Sequence, residues 1–331
     1  MSKKLAPIIL DNRLLRKLNP AIEEHFTASM EELDSFPKVN GVIRDASLID
    51  WINCSVCDSN LTRQWLVKWG GRYDVCKVCG HYFLKNPFKK EILQDLYSSS
   101  ISDEIDRKVN QNEFNVKYWT LVYVKYLEIL FSLNKARISP RLLDIGCGVG
   151  HFLATSIKGG KFDSYGLDVY DQMLEKLKGK VDSSRLFRVD DVLDFKPNKQ
   201  FDVITLWGVL EHLRDAKALF KKMNYWMPLG GMICALIPNI NSRALKILGA
   251  TVPTLNPRAH INFFTKNSIG LVAEGSGFQL LDIFYELPII DLMWPFVDQD
   301  DPQLIDDIMD SKEAYYQILI FKKVGNLPVA S

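Results

Sequence analysis

Three groups of residues in this chain combine types and spacings that can do chemistry. The first is Leu142-Leu143-Asp144-Ile145-Gly146-Cys147-Gly148-Val149-Gly150, a short apolar run that ends in an acid and three alternate glycines. It reads as a buried strand entering a ligand loop, in which glycine lets a ligand approach the backbone amides and lets the next helix start close to the strand. A dinucleotide fingerprint wants G-x-G-x-x-G, but position 151 is His151, which counts against a pyrophosphate site. The second group is Cys54-x2-Cys57 and Cys76-x2-Cys79, whose knuckle spacing matches a tetrahedral zinc ribbon with two thiolates from each half. The third is the histidines, His25, His81, His151, His212 and His260, the residue type best suited to remove a proton near neutral pH.

These groups need positioning elements, and the apolar pattern supplies them. From Arg141 onward, strand-like runs alternate with helical patterns: Arg141–Ile145, Ser164–Asp168, Leu186–Val189, Phe201–Trp207 and Met232–Ile237. That alternation predicts a Rossmann-like α/β fold, a mostly parallel sheet with helices on both faces. Two later runs, Gln279–Glu286 and Tyr316–Lys322, bring the sheet to seven strands as antiparallel neighbours. Between them, residues 287–314 read as an inserted segment, with the acidic tract Asp298–Glu313 as a solvated face. Upstream, Trp65–Trp69 and Tyr73–Val75 flank Gly70-Gly71 as a hairpin, and Trp119, Val122, Tyr126, Ile129 and Leu133 recur at helical spacing. The expected organisation is an N-terminal helical extension (1–50) with a break at Asn19-Pro20, a small zinc ribbon (51–90), a helical linker or cofactor lid (91–140), and a ligand-binding domain (141–331).

Composition narrows the partners. Net charge is +1, from 41 basic and 40 acidic residues, so no global field recruits nucleic acid or an anionic membrane. No run of about 18 apolar residues and no secretion signal is found, so a soluble cytoplasmic protein is expected. Four of the six cysteines form the knuckle pairs and no leftover pair suggests a disulfide framework, which fits a reducing compartment. Residues 51–90 hold seven Lys/Arg against two Asp/Glu, interleaved with Trp51, Trp65, Trp69, Tyr73, Tyr82 and Phe83. That mixture suits single-stranded RNA, although in so small a module the aromatics also serve as the core.

Asp168 ends the second strand 18 residues past Gly150, at the sheet edge where a carboxylate can accept both hydroxyls of a ribose. NAD would be served equally well by that residue alone. The order that follows, Asp190-Asp191-Val192-Leu193, then Phe201-Asp202-Val203-Ile204-x-Leu206-Trp207-x-Val209-Leu210-Glu211-His212-Leu213, resembles the class I S-adenosylmethionine (SAM) methyltransferases over residues 141 to 238. The resemblance implies that Asp144, Gly146, Gly148 and Gly150 hold the methionine end of SAM. It assigns Asp168 to the ribose and Asp191 to the adenine amine, with Leu206 and Trp207 lining the cofactor channel. Pro238-Asn239-x-Asn241-Ser242, Arg258-Ala259-His260-Ile261-Asn262-Phe263-Phe264-Thr265 and Gly275-Ser276-Gly277-Phe278 extend it to the subgroup with an N-terminal zinc ribbon, which modifies sugars and polysaccharides. Gly208 departs from that pattern, which often has Asp after the tryptophan.

Methyl transfer from a sulfonium is an in-line displacement, so the protein must align the acceptor and, for a hydroxyl, remove its proton. His212 and His260 are the candidate bases, with Glu211 to orient an imidazole. Structural histidines bonded to backbone carbonyls are the alternative for both. His81 is expected as a structural turn residue beside the ribbon, and His151 as a packing residue of the glycine-loop helix. The expected acceptor is a small metabolite, a sugar or nucleotide sugar, taking the methyl on a hydroxyl or carbon. The competing readings are an RNA base methyltransferase using the ribbon, a non-catalytic SAM-binding module and, last, an oxidoreductase. The sequence leaves the oligomeric state open.

Overall fold

In the computed structural model, residues 21–99, 113–134, 137–175, 177–287 and 301–328 are described. The first ribbon hairpin pairs β1 (Thr62–Lys68) with β2 (Gly71–Cys76), and β3 (Tyr82–Leu84) joins β2 antiparallel. The hairpin turn falls one residue earlier than the sequence suggests. Trp69 and Gly70 carry the positive φ angles, 49° and 87°, that a two-residue turn matching strand twist requires. Gly71 instead opens β2, where a Cβ would lie 2.3 Å from Pro257.

The main sheet is built from β4 (Arg141–Ile145), β5 (Asp163–Asp168), β6 (Leu186–Arg188), β7 (Val203–Trp207) and β8 (Met232–Pro238), after which β9 (Asn262–Phe263) leaves for the ribbon. Strands β10 (Phe278–Glu286) and β11 (Tyr316–Lys323) complete it in the order β10-β11-β8-β7-β4-β5-β6. The five central strands are parallel, and β11 runs antiparallel to both β8 and β10, as the sequence pattern predicts. The strand order reverses at β4, so the crevice at its carboxyl end is the natural place for a ligand.

Every residue of β8 is buried, as a strand covered on both faces must be. One face packs the helix Glu113–Leu133 through Tyr118, Val122, Tyr126 and Leu130 against Leu142, Val203 and Ile318. The other packs the helices Ala216–Trp226 and Lys266–Glu274 through Leu219, Phe220, Ile269 and Val272. The ribbon adjoins this second core, since Cys54, Cys76, Cys79 and Phe83 lie in the same cluster. Its sheet gains a fourth strand from β9, which pairs antiparallel with β3.

The acidic tract is not a simple solvated face. In its described part, Arg243 pairs with Asp307 at 2.7 Å and with Glu313, and Lys246 also pairs with Glu313. These contacts fasten the segment onto the helix Arg243–Leu248. Asp298 and the Asn19-Pro20 break lie outside the described residues. Among the described residues, no helix is long and apolar enough to cross a membrane.

Candidate functional site

The glycine loop sits at the carboxyl end of β4 and leads into the helix His151–Gly159. Its amides are held by the neighbouring strand, Gly146 N–H donating to Leu167 O at 2.8 Å and Cys147 N–H to the same oxygen at 3.1 Å. Two glycines have distinct reasons to be there. At Gly150 (φ 79°) a Cβ would lie 2.2 Å from Leu177, so the helix could not start where it does. At Gly148 (φ 51°) a Cβ would meet nothing within 4 Å, which is the open side from which a ligand can reach the loop. His151 is the first residue of that helix and packs there, partly buried.

Around this loop lie the acids that the sequence singles out. Asp144 is buried and accepts a hydrogen bond from Thr205 Oγ1 at 2.8 Å. Burial pushes its carboxyl up to about 8, with Thr205 working against the shift and Asp168 adding to it. Asp168 accepts from Gly148 N–H at 2.7 Å and Tyr170 N–H at 2.9 Å, so its carboxylate already braces the loop. Burial raises its pKa and the two amides oppose that rise. Asp191 is more exposed; it caps a short turn by accepting from Leu193 N–H at 3.0 Å and pairs with Lys90 at 3.2 Å.

Leu206 and Trp207 part company. The Leu206 side chain is wholly buried in the core, so only its backbone can face a ligand. Trp207, one residue on, points to the opposite face and packs among Tyr123, Phe152 and Tyr126, with ring centroids 4.9, 5.1 and 6.1 Å away. This is the alternation of a strand that buries both faces.

Beyond β7 the chain turns through Gly208 and Val209 into a short helical turn, Leu210–His212. Val209 abuts the glycine loop, since a Cβ on Gly146 would lie 2.7 Å from it. The turn and the 254–262 segment bring Glu211, His212 and His260 together, with one ligating atom of each within 4.8 Å of the others. The two imidazoles meet edge to face, 4.7 Å between centroids. Each Nδ1 lies against a backbone carbonyl, His212 on Ala259 O at 3.1 Å and His260 on Thr254 O at 2.7 Å. A carbonyl only accepts, so Nδ1 carries the proton and Nε2 keeps its lone pair. The bond expected of a structural histidine is thus present in both, and it also fixes the tautomer a base requires. Crowding by protein atoms lowers His212 to about 4 and, with the neighbouring imidazole adding to it, His260 to about 3. Glu211 is 2% exposed, and burial raises it to about 8.

The four cysteines converge as their spacing predicts. Cys54 and Cys79 sulfurs are 3.5 Å apart, as are those of Cys57 and Cys76. Thiolates about 2.3 Å from one tetrahedral ion lie about 3.7 Å apart, so the set fits zinc and leaves no open coordination position. Amides of Val56 and Cys57 point at the Cys54 sulfur, and those of Val78 and Cys79 at Cys76. Most ribbon aromatics are engaged in packing, with Tyr73 and Phe83 fully buried and Trp65 meeting Tyr82 edge to face at 5.0 Å, whereas Trp51 is exposed. Tyr73 and Phe83 therefore offer no face for a nucleic-acid base.

One connection escaped the sequence reading. His81, expected in a turn, is instead a buried bridge, its Nε2 3.1 Å from Ser55 Oγ and 3.0 Å from Asn262 Oδ1. Asn262 also accepts from Ser55 Oγ at 2.7 Å and donates through Nδ2 to Leu210 O at 3.3 Å and to Leu213 O. One amide therefore ties the cysteine knuckle to the turn that carries Glu211 and His212. The available signal was an asparagine two residues past His260 inside an apolar strand, where a polar group must find partners.

Parts of this chain are similar to known proteins. Residues 120–283 match a family model described as a methyltransferase domain. Over 172 residues the chain is 27% identical to the ubiquinone biosynthesis O-methyltransferase of Coxiella burnetii, covering 49% of this chain and 71% of that protein. It is 30% identical over 136 residues to malonyl-[acyl-carrier protein] O-methyltransferase 1 of Ilyobacter polytropus, covering 40% of this chain and 48% of that one. Among solved structures, a SAM-dependent methyltransferase from Archaeoglobus fulgidus aligns with a TM-score of 0.45 at 22% identity, covering 63% of this chain and 94% of that one.

Proposed function

We propose that this enzyme, similar over residues 120–283 to a methyltransferase domain, is a SAM-dependent methyltransferase and that it methylates a hydroxyl, or an acidic carbon, of a small metabolite, a sugar or nucleotide sugar, at the Glu211–His212–His260 cluster. The observation that carries this reading is the pair of imidazoles brought together at the turn after β7, whose Val209 abuts the glycine loop, each with Nδ1 on a backbone carbonyl.

Bound SAM supplies an electrophilic methyl on a sulfonium. In this reading Asp144 and the loop of Gly146, Gly148 and Gly150 take the methionine end, Asp168 the ribose and Asp191 the adenine amine. Leu206, through its backbone, and Trp207 form the wall between cofactor and core. Asp144, held nearly neutral by burial, becomes a carboxylate when a substrate ammonium replaces its missing counter-charge. His212 or His260 accepts the acceptor's proton at Nε2, and Glu211 stands behind them. Oxygen as acceptor is favoured because both curated relatives named above are O-methyltransferases. The sugar class draws on the near-zero net charge and on the motif order of the zinc-ribbon subgroup.

The division of labour along the chain is part of the proposal. Residues 51–90 hold a structural Zn²⁺ through Cys54, Cys57, Cys76 and Cys79, residues 91–140 cover the cofactor, and residues 141–331 bind SAM and acceptor. The described parts of residues 1–50 and 287–314 bound the cleft in this reading, and the setting is cytoplasmic.

The test is incubation with methyl-labelled SAM and, separately, a nucleotide-sugar extract and total RNA. Label in the sugar fraction, abolished in a His212→Ala/His260→Ala double variant that still binds SAM, is the expected result. Label confined to RNA overturns the acceptor class, and unchanged turnover in the double variant overturns the role of the histidines.

A further inference from the structure

We propose that Glu211, His212 and His260 form a binding site for a divalent transition-metal cation, distinct from the four-cysteine cluster. The first observation is convergence. The three residues come from two separate segments, yet one donor atom of each lies within 4.8 Å of the other two. Donors about 2.1 Å from a shared ion can be at most about 4.2 Å apart. Small side-chain rotations therefore close the site around an ion.

The second observation is an orphaned atom. Glu211 Oε2 is buried and has no hydrogen-bond partner among the described residues. A buried carboxylate oxygen left unpaired is costly, and a cation is the partner that would satisfy it most fully. The third observation is the way the imidazoles are held. Ligating histidines almost always donate the second ring N–H to a carbonyl or carboxylate, which orients the ring and leaves the other nitrogen for the metal. Both rings have that arrangement, on Ala259 O and Thr254 O.

The backbone that carries the donors is itself fixed. Ile261 N–H donates to Glu211 O at 2.7 Å, and Asn262 Nδ2 spans Leu210 O and Leu213 O on either side of Glu211 and His212. Such support is what a metal site needs if its ligands are to hold their geometry.

The donor set decides the class of ion. Two imidazoles and one carboxylate suit Mn²⁺, Fe²⁺, Co²⁺, Ni²⁺ or Zn²⁺, whereas Mg²⁺ and Ca²⁺ prefer oxygen throughout. Three protein ligands leave coordination positions open, unlike the closed thiolate set. The consequence, though not the binding itself, rests on the methyl-transfer reading above. With the ion in place the histidines would act as ligands instead of bases, and an acceptor hydroxyl bound to the ion would have its pKa lowered so that its proton leaves to solvent water.

The experiment is a titration of Co²⁺ into the zinc-loaded full chain, followed by visible absorption and by equilibrium dialysis with metal analysis. The expected result is one Co²⁺ per chain with ligand-field bands of nitrogen and oxygen donors, no thiolate charge-transfer absorption and no zinc released. Affinity should fall at least tenfold in Glu211→Gln and in His260→Ala, each checked by SAM binding to be folded. No Co²⁺ bound at millimolar concentration overturns the proposal, as does binding that appears only with zinc loss or that survives both substitutions. Cobalt binding without methyl transfer to sugars would sink the acceptor reading and leave the site standing. Methyl transfer by a protein that binds no Co²⁺ would do the reverse.

Discussion

Replacing Asn262 by alanine tests the link between the cysteine knuckle and the turn that carries Glu211 and His212. Asn262 is fully buried, and its amide makes four contacts: it accepts from Ser55 Oγ and from His81 Nε2, and it donates to the carbonyls of Leu210 and Leu213. Two of these neighbours keep other partners after truncation. His81 Nε2 stays 3.1 Å from Ser55 Oγ, and Leu210 O still receives the Leu213 amide at 3.4 Å. The Leu213 carbonyl is the group that loses its side-chain donor, at about 1–3 kcal/mol for a buried unsatisfied acceptor. A small cavity adds about 1 kcal/mol, for an expected loss of roughly 2–4 kcal/mol in unfolding free energy. The larger effect should be on turnover. Without the amide the Leu210–His212 turn is free to shift, and displacement of a catalytic group by about 1 Å can cost about 100-fold. Since the Asn262 side-chain hydrogen bonds among the described residues go to Ser55, His81, Leu210 and Leu213 and not to the glycine loop, SAM affinity should stay within about twofold. Denaturant unfolding, SAM calorimetry and initial rates with labelled SAM measure the three quantities. A variant as stable as the parent, or one whose SAM affinity collapses along with kcat, would show that Asn262 does not act as the tie argued here. Ser55→Ala, which touches the tie only from the ribbon side, should give a smaller change in the same direction.

Three further outcomes follow from the same geometry. Asp144→Asn should weaken SAM binding about 10- to 100-fold, the scale of one charge-assisted hydrogen bond, as read by calorimetry. Because burial raises the Asp144 pKa to about 8, the folded state holds that proton more tightly than the unfolded chain. Its contribution to stability is therefore full below about pH 4 and is lost as pH rises toward 8, and denaturation curves across that range should be flatter in Asp144→Asn. SAM affinity of the parent should rise over the same interval, since an ammonium wants the carboxylate form, and a flat profile would refute the pairing. Removing zinc, or substituting Cys76→Ser, should lower the melting temperature and also change the ¹⁵N signals of His212 and His260, because Ser55, between the knuckle cysteines, and His81, beyond them, lead through Asn262 to the turn. Histidine signals that ignore the metal would mean the ribbon is an independent module.

The sequence by itself determined the local elements and their chemistry. Strands β4 to β8, β10 and β11 fall within two residues of where the sequence pattern places them, β7 and β8 most plainly, because parallel strands covered on both faces read as continuous apolar segments. The cysteine knuckles and glycine loop were legible for a related reason: each is a short-range geometry that only certain residues at fixed spacing can adopt. What the tertiary structure alone decided was the meeting of distant segments. Nothing local in Asp307 or Glu313 says that Arg243 and Lys246 will pair with them, so the acidic tract read as solvated. The pairing of β9 with the ribbon sheet brings residues 54–83 against residues 210–268, and with them Ser55, His81 and Asn262. Such contacts depend on where two distant elements come to rest, and periodicity, which records only which face of each element is apolar, carries no information about that.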